Sequence, residues 1–217
     1  MGKTGDSDFE ANLGNDINEE VCDDEGCDEE EYFDIDLTDE QEYVLAMNAV
    51  LTESNEQSHY HLHGEFDEEH GRILGTNTLR KFWDIDSAES LRETITWLMT
   101  EGHRIGYERL YAAGELPEDY PPSILAWDLC RLMSIARWGA AAGYIHDEEA
   151  WTWLYACGRQ LELAFNSFAE IGANFIAGHR YWADGSVNKS IAEAFDYLAD
   201  EENEDSVWNE VEWGYYY

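Results

Sequence analysis

The sequence predicts an all-α protein: a single compact multi-helix domain behind a disordered acidic N-terminal tail. Three observations point there. Apolar residues recur at helical spacing in successive segments that open on capping residues and close on glycine. Sustained strand alternation is missing, apart from the short HYHLH at 59–63. No unit repeats at a period of 20–50 residues, so the helices must share one core.

Residues 1–36 predict a disordered tail, because EEVCDDEGCDEEEYFDID is dominated by like charges that repel one another when compacted. Its Cys22 and Cys27 have the spacing C-x4-C, looser than the pairs zinc sites use. The helical domain is expected over 37–200. In LTDEQEYVLAMNAVL, Thr38 is a good N-cap and Gln41 completes a capping box; Tyr43, Val44, Met47, Val50 and Leu51 then form a stripe. Residues 53–78 break the pattern and predict a polar loop. Asp86 and Glu89 read as a second capping box, followed by the stripe Leu91, Ile95, Leu98 and Met99, with Gly102 as the stop.

Residues 104–113 predict a short helix ending at Gly114, and ELPEDYPPS a loop, since paired prolines do not continue a helix. A long helix is expected from about Ser123 to Ala142, with Gly143 as its stop. Asp147 can cap the next, which carries Trp151, Leu154, Tyr155, Leu161 and Phe165. Ser167 and Glu170 read as another capping box opening a helix to about Trp182; ADGS is a turn, and 187–199 one more helix. The end, 201–217, mixes acids with aromatics.

The net charge is −37, from 49 acidic and 12 basic residues. Nucleic acid binding is not expected, because that surface needs clustered Lys and Arg. Docking on anionic lipid is excluded on the same ground. A basic protein partner, solubility of an aromatic-rich chain, or adaptation to high salt all suit such acidity. No apolar run is long enough to span a membrane and the N-terminus lacks an apolar signal stretch, so the expected location is cytoplasmic. Oligomeric state is left open by the sequence. Cys130 and Cys157 lie in apolar helical contexts and read as small core residues.

Several strings then line up in order and spacing: LTDEQEYVLAM, FWDI, WLMTEGHR, AWDLCRLMSIARWGAAAGYIHDEEAW and GANFIAGHRYWADG. Together they resemble the bacterial family called domain of unknown function 1266, over roughly 37–185. The combination W-D-x-x-R, R-x-G-x-x-A-G-Y-I and E-A-W carries the resemblance. FIAGHRYW resembles the family's G-R-x-x-W ending, except that His179 intervenes before Arg180. The resemblance implies a helical fold and transfers no activity, cofactor or catalytic residue.

Two constellations are candidates for chemistry. The first is Glu101, His103, Arg104, Asp128, Arg131, Arg137, His179 and Arg180. If these converge, they form a pocket able to bind phosphate or carboxylate and move protons, as in a hydrolase or group-transfer enzyme; His103, Arg104, Asp128, Arg131 and Arg180 are the catalytic candidates. Asp128 and Arg131 are three apart and can pair on one helix face, whereas Arg137 lies half a turn round and needs another partner. The competing reading is structural: buried charges held by ion pairs and helix-end carbonyls. Arg104 in particular follows a helix-terminating glycine, where a cation meets exposed carbonyls.

The second is HYHLHGEFDEEH. In an extended segment His59, His61 and His63 point one way, with His70, Glu65, Asp67, Glu68 and Glu69 nearby, a donor set suited to a divalent metal. A solvated histidine-rich loop is the competing reading. No cofactor is predicted beyond such a metal. No Gly-rich phosphate loop, G-x-S-x-G elbow or H-E-x-x-H helix is present. The leading expectation is a soluble helical binding module of unassigned function, with the enzyme and metal-protein readings as alternatives.

Overall fold

The computed structural model of the protein describes residues 37–64 and 68–217. The expected disordered tail at 1–36, with Cys22 and Cys27, lies outside the described residues, as do Glu65 and Asp67. Among the described residues ten helical segments follow one another: α1 (Asp39–Met47), α2 (Ala49–Ser54), α3 (Glu68–Trp83), α4 (Ala88–Thr100), α5 (Arg104–Ala112), α6 (Leu125–Ala141), α7 (Asp147–Ala164), α8 (Phe168–Trp182), α9 (Lys189–Ala199) and α10 (Val207–Glu210). No strand occurs among the described residues, HYHLH included. The fold is all-α and single-domain.

The centre is α6. Every residue from Ala126 to Ala141 is buried, the charged Asp128, Arg131 and Arg137 among them, and the rest of the helix is apolar or small on all sides, as a core helix is. Helices α3, α4, α7 and α8 pack around it. Its end is a glycine stop: Gly143 has φ +75° and the Tyr144 amide returns to the Gly139 carbonyl. The first helix begins as predicted, with Thr38 and Gln41 in a reciprocal capping box. It breaks at Asn48, whose buried side chain turns to donate to Ser134 Oγ on α6. The short α2 resumes beyond it and packs on α9.

Four local expectations are corrected. Residues 68–78, read as loop, belong to α3. This helix lacks an apolar stripe because it meets α6 through Gly71, Gly75 and Thr78: a Cβ at Gly75 would sit 2.8 Å from the Trp138 carbonyl oxygen. Small residues let two backbones approach, and hydropathy periodicity does not register that. The cap of α4 is Ser87 with Ser90, not Asp86 with Glu89; Ser90 Oγ accepts from both the Asp86 and Ser87 amides, leaving Asp86 no cap to make. Asp147 is the first residue of α7, after the N-cap His146, and its carboxylate accepts from His63 instead of capping. At α8, Ser167 accepts from the Glu170 amide, but Glu170 answers one residue earlier, at the Asn166 amide.

Residues 201–217 return to the body. Val207 is buried, Trp208 donates to the Ala46 carbonyl, and Gly214 donates to the Tyr43 hydroxyl. The buried Glu162 of α7 accepts the amides of Tyr216 and Tyr217. The acids of this segment face solvent, while Trp208, Trp213 and Tyr216 pack on the body against Tyr43 of α1 and Phe168 of α8.

Candidate functional site

Two charged groups on opposite sides of α6 organise everything around them. Asp128 sits near its start and is fully buried. Its Oδ1 accepts from the His103 amide (3.1 Å) and from Arg131 Nη2 (2.7 Å); its Oδ2 accepts from the Arg104 amide (2.9 Å) and lies 3.3 Å from Arg104 Nη1. The carboxylate therefore caps the N-terminus of α5 from a different helix, meeting free amides and the positive end of a helix dipole. Gly102 makes the approach feasible: it takes φ +60° and a Cβ there would collide with Asp128.

Arg104 closes the other side. Its Nη1 and Nη2 donate to the Leu98 and Met99 carbonyls, both at 2.7 Å, capping the end of α4. Arg131 donates through Nε to the Trp127 carbonyl, meets His103 Nδ1 at 2.9 Å, and lies 4.1 Å over the Trp127 ring. Burial works against ionising Asp128. The His103 hydrogen bond, the Arg131 charge and the amides of Arg104 and His103 outweigh it, so its carboxyl is held below the ordinary value.

His103, 36 % exposed, is the one member of this group that reaches the surface, where it meets Trp97 edge-on. His179 is buried against Trp127 and Trp182, and its Nδ1 has no hydrogen-bond partner. Burial, with the nearby Arg131 charge, pushes its pKa down to about 4 despite a bond to the Ser186 backbone, so it is neutral. Glu101 is exposed at the C-cap of α4. Arg180 points elsewhere, pairing with Asp119 at 2.8 Å over the Tyr120 ring. Of the eight residues, four converge: His103, Arg104, Asp128 and Arg131. His179 touches the edge of that group, and Glu101, Arg137 and Arg180 lie apart from it.

Arg137, half a turn round α6, holds the other group. It is buried and makes no ion pair among the described residues. Nε donates to the Leu62 carbonyl (2.8 Å), Nη1 to Thr52 Oγ1 (2.7 Å), and Nη2 to the Ser58 and His61 carbonyls (both 2.9 Å). Desolvation lowers its pKa to about 10, which still leaves it charged at neutral pH. Arg137 is thus the post around which 58–62 is wound. That winding separates the histidines. His59 bonds Glu53 at 2.8 Å, His63 bonds Asp147 at 2.9 Å, and His70 stands exposed in the first turn of α3. Among the described residues no three His, Cys, Asp or Glu side chains are placed to hold a metal ion. Sequence reading missed the Arg137 site as a loop anchor; the signal was a lone arginine opposite Asp128 with no acid at helical spacing.

Residues 115–213 match the family described as protein of unknown function, DUF1266. Over those residues the chain is similar to that family, in line with the resemblance that the sequence strings carry. It leaves out LTDEQEYVLAM, FWDI and WLMTEGHR, and extends past 185 to take in α9, α10 and Trp213. The DUF1266 segment supplies Asp128, Arg131 and Arg137, while the groups they hold, His103, Arg104, Thr52 and Leu62, precede it. No curated protein and no solved structure matches the chain.

Proposed function

We propose that this protein is a binding module that works through its surface, with the buried charges of α6 as its frame. The observation that carries this reading is the closure of the Asp128 group. Both oxygens of a fully buried carboxylate are engaged by amides and guanidinium groups of the same chain, and the arginines spend their donors on α4 and α6 carbonyls. A catalytic carboxylate needs a lone pair facing substrate, and here none is left over. The excess of acid favours a basic protein as partner and a soluble, cytoplasmic setting. No helix of the described residues is long and apolar enough to cross a membrane, which agrees with that setting.

The test uses the full chain and an arginine-rich peptide, followed by amide chemical shifts at low and high salt. Saturable shifts on exposed acidic positions, weakened by salt, are expected. Shifts centred on His103 and Arg131 that persist in high salt, and vanish in Asp128→Asn while its fold survives, would overturn the reading in favour of a ligand pocket.

A further inference from the structure

The outer face of α3 runs against the character of the whole molecule. From His70 to Trp83 there is no acidic residue, in a chain carrying 49 of them. Arg72, Arg80 and Lys81 are all exposed there, and none makes an ion pair among the described residues. Most other cations near the surface are engaged, Arg92 with Glu149, Arg159 with Glu40, Arg180 with Asp119 and Lys189 with Glu193, while Arg109 of α5 is exposed and makes no ion pair among the described residues. Arg72 and Arg80 are eight residues apart, two turns along one face and about 12 Å. Ile73, about half exposed, continues the stripe. The opposite face, through Gly71, Gly75, Thr78 and Leu79, is spent on the core. Three unpaired cations left on one helix of so acidic a protein call for an anionic occupant.

We propose that the occupant is the chain's own N-terminal segment, residues 1–36, laid along α3 through its carboxylates. The segment holds 15 acids against Lys3, nine of them between Glu19 and Glu31. It joins the body at Leu37, two residues before α1 begins, so its acids are tethered to the same body. Extended, 36 residues reach on the order of 120 Å, whereas a domain of this size has a radius of gyration of about 16 Å, so every face is within reach. Tethering makes the encounter intramolecular, which lets even a few exposed ion pairs hold. The remaining surface repels the segment, since the body is itself strongly acidic; the α3 stripe is where attraction wins. The contact is electrostatic and depends on salt.

A nitroxide placed on Cys27, with Cys22→Ser, reads the contact in the intact chain, because buried Cys130 and Cys157 are shielded from the tag. At low salt the amide signals of α3 should lose intensity, recover at high salt, and remain strong in the triple variant Arg72→Glu, Arg80→Glu, Lys81→Glu. The milder Arg80→Gln, Lys81→Gln decides the matter if the triple variant loses its amide dispersion. Undiminished α3 signals at low salt, or equal loss in the charge variants, would overturn the proposal. So would loss seen only when tag and isotope label are on different molecules, which would make a second copy the source of the acidic segment.

Discussion

Asp128 and Arg137 sit nine residues apart on one helix, face opposite directions, and solve the same problem differently. Asp128 is neutralised by Arg104 and Arg131 and by two amides at a helix start. Arg137 receives no countercharge among the described residues and is solvated by three carbonyls and a hydroxyl. The first arrangement ties together three helices that would otherwise end in bare amides and carbonyls. The second shapes a segment without secondary structure of its own. A buried charge needs enough oriented dipoles around it, and an opposite charge is only one source of them.

The sharpest break of this contrast is Asp128→Ala. It leaves two arginines buried without their acceptor and should cost about 3–5 kcal/mol, read from denaturant unfolding. Acid should reach the same neighbourhood more gently. His179 is neutral when folded, with a pKa near 4 against 6.5 for the free group. The unfolded chain takes up a proton between those values and the folded one does not. Stability is thus complete above pH 6.5 and falls through the window down to about 4, by at most about 3 kcal/mol. His179→Phe should flatten that fall in a pH series of unfolding midpoints, while the loss from Asp128, whose value is also depressed, remains at lower pH.

On the other side, Arg137→Lys keeps the charge but replaces a planar fork with an ammonium that cannot span the same acceptors, and should cost about 2 kcal/mol. Its mark is local: amide exchange should speed up in 55–64 and stay unchanged in α5, whereas Asp128→Asn should do the reverse. Smallest is Thr52→Val, which removes one acceptor of four and should cost about 1 kcal/mol in the same unfolding assay. Equal responses of both regions to either substitution would mean that α6 transmits between them, and the contrast would dissolve.

Helix starts and stops were legible where residue type alone forces them. Thr38 with Gln41, and Gly102, Gly114 and Gly143 at positive φ, all lie where the sequence places them. Helix α3 was not legible, for two reasons. Its buried face is made of glycine and threonine, and it stops at Asp84 with φ +55°, where no glycine announces the turn. The short pair Asp128–Arg131 was readable from spacing, and Arg104 at the α4 carbonyls from its place after Gly102. Asp128, His103 and Arg104 stand together in the first constellation read from the sequence, but the contacts that join them, two amides and a guanidinium on one carboxylate, were not readable. Nor was the separation of Arg180 and Glu101 from them, because chain spacing carries no information once a loop intervenes.

The sequence by itself determined an all-α chain, most of its helix boundaries, and a composition suited to a charged surface around an aromatic core. Periodicity, caps and glycine stops are local, so they survive without knowledge of the fold. Tertiary structure alone decided which charges meet. It closed the Asp128 carboxylate among amides and guanidinium groups, and it set His59 on Glu53 and His63 on Asp147 while the His61 carbonyl turned to Arg137. It also left the cations of α3 facing solvent. Those outcomes depend on how helices cross and which backbone groups remain unpaired at their ends, and only the packed chain specifies that.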